Sequence, residues 1–190
     1  MIEVEVKVYA SHDRIKELFK NKENDFKQIQ YINTEIQNDQ YFNDPNRDFA
    51  KTNEALRIRT INDESEITYK GNMLDDVSKT RPEFNSPVDK YNMTQILLSL
   101  GYVLSDTVEK TREIHKYEDM TLCFDNVKGI GEFLEIEIGL EDDSSKKEIT
   151  EATNRIFEFL KTLGIEREKS ERKSYLELII EKREKQAVKT

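Results

Sequence analysis

IEVEVKV, residues 2–8, alternates apolar and charged side chains without a break. A period of two marks a β-strand with two unlike faces. Ile2, Val4, Val6 and Val8 point one way, and Glu3, Glu5 and Lys7 the other. The apolar face must pack against something. The charged face is either wetted by solvent or part of a site, and the other strands decide between these.

Later stretches repeat the pattern. LRIRTI (56–61) sets Arg57 and Arg59 against Leu56 and Ile58, and ITYKG (67–71) sets Thr68 and Lys70 against Ile67 and Tyr69. VEKTREI (108–114) places Lys110 and Arg112 together, and LCFD (122–125) pairs Cys123 with Asp125. FLEIEIG (133–139) sets Glu135 and Glu137 against Leu134, Ile136 and Ile138. Antiparallel sheets often wet one face, so any single strand could be ordinary. Here, however, the signs are segregated strand by strand. Like charges side by side destabilise a sheet unless opposite charges or a ligand face them. A sheet curled with this face inward would enclose the acids Glu3, Glu5, Asp125, Glu135 and Glu137. The same lumen would hold the bases Lys7, Arg57, Arg59, Lys70, Lys110 and Arg112.

The remaining segments fit such a sheet. Ser11 is placed to cap a helix carrying Ile15, Leu18 and Phe19, and QIQYINTEIQ with DQYFN is strand-rich. NDPNRDFAKTNEA and NMLDDVSK read as loops, and NDES turns a hairpin. In SPVDKYNMTQILLSLG, Ser86 is expected as N-cap and Pro87 at the first helical position. The apolar stripe of that helix is Val88, Tyr91, Ile96, Leu97 and Leu100. VKGIG turns between two strands, and Ser145 with Glu148 forms a capping-box pattern before a long amphipathic helix closed by Gly164. SYLELIIEKR reads as a short last helix. Strands joined by short turns must be antiparallel. The expectation is an α+β fold, an eight-stranded antiparallel β-barrel, closed or nearly closed, with flanking helices. It forms one domain over 1–180, with 181–190 as a flexible tail.

Composition excludes several functions. With 39 acidic and 30 basic residues the chain carries a formal charge of −9, which disfavours nucleic acid and anionic membranes as partners. One cysteine and two histidines can build neither a disulfide framework nor a Cys/His zinc cage. No apolar run approaches the roughly 18 residues of a membrane span, and no signal-peptide pattern opens the sequence, so a cytoplasmic protein is expected. No P-loop is present, and Gly129-Ile130-Gly131 is better read as a turn than as part of a dinucleotide fingerprint. His115 has the opposite parity to Lys110 and Arg112, and His12 stands at a helix start; both are expected to be structural. What the lumen suits is a polyphosphate with its metal. Clustered carboxylates bind Mg²⁺ or Mn²⁺ through oxygen, while Arg and Lys neutralise phosphate oxygens.

Glu3-x-Glu5-x-Lys7 is similar to the opening signature of the CYTH, or triphosphate tunnel metalloenzyme, superfamily. DQYFN (39–43), LRIR (56–59), TYKG (68–71), KTR (110–112), FDNVKGIGEFLEIE (124–137) and SYLEL (174–178) follow in register. The resemblance implies an eight-stranded β-tunnel that takes ATP or another triphosphate with Mg²⁺ or Mn²⁺. The family's members include class IV adenylate cyclases and several triphosphatases. RDFAKTNEALRIR, SKTRPEF and DNVKGIGEFLEIE look most like the class IV cyclase branch and its archaeal-type relatives. It implies metal-binding Glu3, Glu5, Asp125, Glu135 and Glu137. Arg57, Arg59, Lys70, Lys110, Arg112 and Lys7 are implied as triphosphate ligands, with Lys70, Tyr41 and Lys7 in catalysis. Asn43 stands where the family often has Asp, and Tyr41 with Lys70 matches a pair that some of its triphosphatases use to activate water. A homodimer is compatible with this reading, though the sequence does not fix the assembly.

Overall fold

The computed structural model describes residues 2–21, 26–72 and 81–187. Eight antiparallel strands close into a barrel: β1 (Ile2–Tyr9), β2 (Gln30–Asn43), β3 (Ala55–Ile61), β4 (Glu64–Lys70), β5 (Arg81–Pro87), β6 (Val103–Tyr117), β7 (Met120–Val127) and β8 (Gly131–Leu140). Round the barrel their order is β1-β5-β4-β3-β2-β6-β7-β8. The two-residue turn between β3 and β4 puts Asn62 at φ +54°, a left-handed conformation that Asn tolerates and tight hairpins need. Five α-helices are described: α1 (His12–Asn21), α2 (Phe49–Thr52), α3 (Lys90–Ser99), α4 (Lys146–Thr162) and α5 (Tyr175–Ala187).

The apolar parity of the strands faces outward, beneath the helices. Val4, Val6, Leu134 and Ile136 pack with Ile15 of α1 and with Ile149, Ile156 and Leu160 of α4. The capping box at Ser145 and Glu148 starts α4 as expected, and Gly164 follows its end at φ +73°. On the other side Phe42, Leu56 and Ile58 pack under Phe49 and Leu97. Each fully buried aliphatic or aromatic side chain contributes on the order of 1.5–3 kcal/mol, which is why the polar parity is driven inward. A third cluster lies at one end of the barrel: Tyr175, Leu178 and Ile179 of α5 pack on Tyr41, Val108, Val127 and Phe133.

Three helices differ from expectation, the first being α2, a single turn capped by Asp48 inside NDPNRDFAKTNEA, a stretch expected as a loop. Ser86 and Pro87 end β5 instead of capping α3, because both still pair with β4, Ser86 with Ile67 and Pro87 with Glu66. Asp89 is the N-cap and accepts from the Asn92 N–H at 2.7 Å. Of the expected stripe only Leu97 is buried; Tyr91, Ile96 and Leu100 are exposed, since the shortened helix touches the sheet through Leu97 and Met93. The last helix runs to Ala187, into the segment expected as a tail. Most of the NMLDDVSK loop, and residues 188–190, lie outside the described residues. No helix among those described is long and apolar enough to cross a membrane.

Candidate active site

The inward parity of the strands surrounds a cavity of about 440 Å³. Glu3, Glu5, Lys7, Tyr41, Arg57, Arg59, Lys70, Lys110, Arg112, Glu135 and Glu137 all line it. Asp125 has the same parity but lies behind this surface, fully buried. Strand order gives the charges two opposed walls. β1 and β8 are neighbours, with Glu5 beside Glu137 and Lys7 beside Glu135, and they form an acidic wall. Across the lumen, β4 and β3 bring Lys70, Arg57 and Arg59; on the far side of β2, β6 adds Lys110 and Arg112.

Each cation of the basic wall has an acid held against it. Asp39 accepts two parallel bonds from Arg59, both 2.7 Å, and lies 3.6 Å from Arg57. Burial opposes the charge on Asp39, but Arg59 and Arg57 hold its carboxyl well below the ordinary range. Lys70 contacts Glu3 at 3.1 Å and Glu83 at 2.5 Å. Burial would raise Glu83, but Lys70, with Glu3 and Arg57, pulls it down to about 2. Asp125 accepts from Lys110 at 2.8 Å, from Arg112 at 2.7 and 2.6 Å, and from the Tyr175 hydroxyl at 2.8 Å. With no exposed surface and its oxygens taken, it is built as the counter-ion of Lys110 and Arg112, not as an open donor for a metal. Burial and Arg112 push Lys110 down despite Asp125. Among the described residues, the buried Nε of Arg57 has no hydrogen-bond partner, nor has that of Arg81, and both residues line the cavity.

The acidic wall is crowded. Arg112 reaches Glu137 at 3.1 Å and also bonds Glu135. Burial nevertheless pushes Glu137 up to about 7, with Glu3, Glu135 and Glu5 adding repulsion that Arg112 does not cancel. No group of three or more His, Cys, Asp or Glu side chains that could hold a metal ion is already assembled among the described residues. The four glutamates face one cavity, and two of them are held by Arg112.

Lys7 is fully buried: its ammonium donates to the Lys173 carbonyl, lies 4.1 Å from the centre of the Tyr175 ring and is 4.0 Å from Glu135. It ties the segment before α5 to the tunnel wall, and the Glu171 N–H adds a 2.6 Å bond to the Lys7 carbonyl. Tyr41 stands opposite Arg57 in the β2–β3 register, whereas the Lys70 ammonium is engaged by Glu3 and Glu83; the two residues share the cavity without forming a pair. The Asn43 side-chain carbonyl accepts from the Phe49 N–H at 2.8 Å and so fixes the loop before α2. His12 contacts the Phe133 carbonyl and His115 contacts Glu113, both away from the lumen as expected. Cys123 is buried, and that burial raises its thiol. Asp39, Glu83 and Tyr175 were not read from the sequence as site residues, although all three lie within quoted motifs.

A closed antiparallel barrel whose lumen opposes an acidic wall to a basic one defines a tunnel protein. The chain belongs to the CYTH family: the CYTH domain model matches residues 1–175. It is 42% identical over 179 residues to the Methanocaldococcus jannaschii protein named "Putative adenylate cyclase MJ0240", covering 94% of this chain and 98% of that one. The solved PH1819 protein of Pyrococcus horikoshii superposes with a TM-score of 0.83 at 40% identity, over 95% of this chain and 99% of the other. A Hippeastrum protein described as a putative adenylyl cyclase with a dominant triphosphatase activity shares the fold. Its TM-score is 0.64 at 17% identity, over 95% of each chain.

Proposed function

We propose that this chain is a divalent-metal-dependent enzyme of the class IV adenylate cyclase type, converting ATP to cyclic AMP and pyrophosphate. The observation that carries this reading is the pair of opposed walls in one lumen. The relative named as an adenylate cyclase supports the choice of reaction. The donor set fits a hard cation: four glutamates supply only oxygen, and their mutual repulsion is what such an ion relieves. Glu3, Glu5, Glu135 and Glu137 would hold it, with Asp125 kept for Lys110 and Arg112. When bound, Mg²⁺ or Mn²⁺ supplies Lewis acidity toward the triphosphate and the attacking hydroxyl.

The chain's own residues do the positioning. Arg57, Arg59, Lys70, Lys110 and Arg112 grip phosphate oxygens, and the unpartnered Arg57 Nε gains an acceptor. The substrate's 3′-oxygen attacks the α-phosphorus, and its proton is lost as that bond forms and ends on the departing pyrophosphate. The bond between the α-phosphorus and the bridging oxygen breaks, and pyrophosphate leaves with its charge met by the basic wall. Lys7 holds the wall's C-terminal support in place. A second reading, hydrolysis of the γ-phosphate by water, is favoured by Tyr41, a phenol beside Arg57 in the same cavity.

Incubation with ATP and Mg²⁺ or Mn²⁺, with products separated, tests the choice. Cyclic AMP with an equal amount of pyrophosphate is expected. Inorganic phosphate from ATP or tripolyphosphate, without cyclic AMP, would establish the second reading. Binding without turnover would make the chain a nucleotide- or polyphosphate-binding module.

A further inference from the structure

Helix α5 is anchored on one end of the barrel by Leu178 and Ile179, both buried in an apolar cluster. Tyr175 belongs to the same cluster but makes contacts that those two do not. Its hydroxyl donates to Asp125 Oδ2 at 2.8 Å, on the oxygen that also accepts from Lys110 at 2.8 Å and from Arg112 at 2.6 Å. Burial, with Glu135 and Asp125, pushes the phenol well above its ordinary value, so it keeps its proton and stays the donor in this bond. A position that served packing alone would need no hydroxyl, since burying one adds a polar group that must then be satisfied.

The ring is also placed against charge. The Lys7 ammonium lies 4.1 Å from its centre and the Lys110 ammonium 4.8 Å, both within range of attraction to an aromatic face. Phe133 meets the ring edge to face, with centroids 5.0 Å apart. Tyr175 stands in the first turn of α5, and its place there is set from two directions. Ser174 and Glu177 exchange bonds of 2.6 and 3.2 Å across the helix start. Lys7 fixes the preceding segment through the Lys173 carbonyl and the Glu171 N–H. One side chain therefore touches Asp125, Lys110 and Lys7, and through Asp125 it bears on Arg112. Tyr175, Lys110 and Arg112 all line the cavity.

We propose that Tyr175 is a positioning residue for the basic wall: its hydroxyl fixes the carboxylate of Asp125, and its ring the ammonium of Lys110, in the arrangement that receives an anion. Lys110 and Arg112 share Asp125 as counter-ion, so a turn of that carboxylate displaces both cations together. The proposal rests on the triphosphate reading above and deepens it, since it names the residue that sets how these two cations stand before phosphate arrives.

The test is calorimetric binding of tripolyphosphate with Mg²⁺ to the full chain and to three variants, each also unfolded in urea. Tyr175→Phe keeps the ring and its packing and removes only the hydroxyl. Binding about fivefold weaker is expected, the effect of one hydrogen bond to a charged group. Tyr175→Leu removes the ring as well and should weaken binding about fiftyfold, so that the phenylalanine recovers about tenfold of the loss. Leu178→Ala alters an apolar member of the same cluster that is outside the cavity lining. Its urea midpoint should fall below that of Tyr175→Phe, while its binding stays within about twofold of the parent. A Tyr175→Phe variant that binds as the parent does would overturn the assignment. So would a binding loss in Leu178→Ala as large as that in Tyr175→Leu, because packing of α5 would then explain both. A parent chain that binds no tripolyphosphate would overturn the triphosphate reading itself, and this assignment with it.

Discussion

The basic and acidic walls of the tunnel carry similar numbers of charges, yet their electrostatics differ in kind. On the basic wall Asp39 lies against Arg57 and Arg59, Glu83 against Lys70, and Asp125 against Lys110 and Arg112. All three acids are held below the ordinary carboxylate range, the sign of charges already satisfied. On the acidic wall Glu137 is raised to about 7 by burial among Glu3, Glu135 and Glu5. The basic wall is thus a finished scaffold that keeps its cations in place before any anion arrives. The acidic wall stays crowded even with Arg112 against Glu135 and Glu137, and on the proposed reading a divalent cation would relieve that crowding.

The largest effect should come from the acidic wall. Glu135→Gln or Glu137→Gln keeps size but removes an anionic donor, so triphosphate turnover should fall by roughly three orders of magnitude, about 4 kcal/mol of transition-state stabilisation. Stability should move the other way. In metal-free protein, Glu137→Gln relieves like-charge crowding and should raise the urea midpoint, by up to about 1 kcal/mol. Glu109→Gln and Glu113→Gln lie on the same sheet with the opposite parity, where Glu109 meets Lys128 and Glu113 meets Lys16. Their turnover should stay within about twofold. Equal losses at both sets would erase the distinction between lumen and outer face.

On the basic wall the expected damage is to stability. Asp39→Asn leaves two half-buried guanidiniums without their shared counter-ion and should destabilise by about 3 kcal/mol at pH 7. The sign with pH follows from the depressed pKa. A carboxyl whose folded pKa lies below its unfolded value of roughly 4 stabilises fully above that value, and the contribution is lost as pH falls toward the folded pKa. The gap between parent and variant, read from urea midpoints at pH 7, 4 and 3, should therefore hold to about pH 4 and shrink below it. A gap unchanged at pH 3 would mean that the ion pair is not its source.

These walls were legible wherever strand parity was. Glu3, Glu5, Arg57, Arg59, Glu135 and Glu137 alternate with strong apolar neighbours, so burial of one face forces the other inward, whereas Lys110 and Arg112 alternate with Glu109, Thr111 and Glu113 and showed only that the two bases share a face. Asp39 escaped because it lies in IQNDQ, where polar residues occupy both parities and alternation carries no signal. Glu83 follows Pro82 in RPEFNSP, a strand whose Pro, Asn and Ser mimic a turn. Tyr175 lies at the start of a helix, where two-residue parity has no meaning, and its partner Asp125 is 50 residues away. The roles of Lys7 and Asp125 were hidden for the same reason. Parity places a side chain in the lumen but does not say which neighbour will hold it.

Tyr41 gives the smallest effect and the finest discrimination. It lies on β2, the strand that separates the two groups of cations, opposite Arg57 on β3 and packed by Val108 and Tyr175. A cyclase uses the substrate's own 3′-hydroxyl and depends on placing the ribose, whereas a triphosphatase must orient or deprotonate a water. Tyr41→Phe keeps the ring in its packing and removes only the hydroxyl. If that hydroxyl assists a water, tripolyphosphate hydrolysis should fall about tenfold, roughly 1.4 kcal/mol, with KM nearly unchanged. Cyclic AMP formation should change by less than about twofold, because no proton on its path then belongs to Tyr41. A matched loss in both activities would place Tyr41 in the basic wall instead, acting through Arg57 on phosphate binding, and KM should then rise for ATP and tripolyphosphate alike. Each pattern gives the phenol to one wall or to the nucleophile, and the KM–kcat split tells them apart without a change in fold.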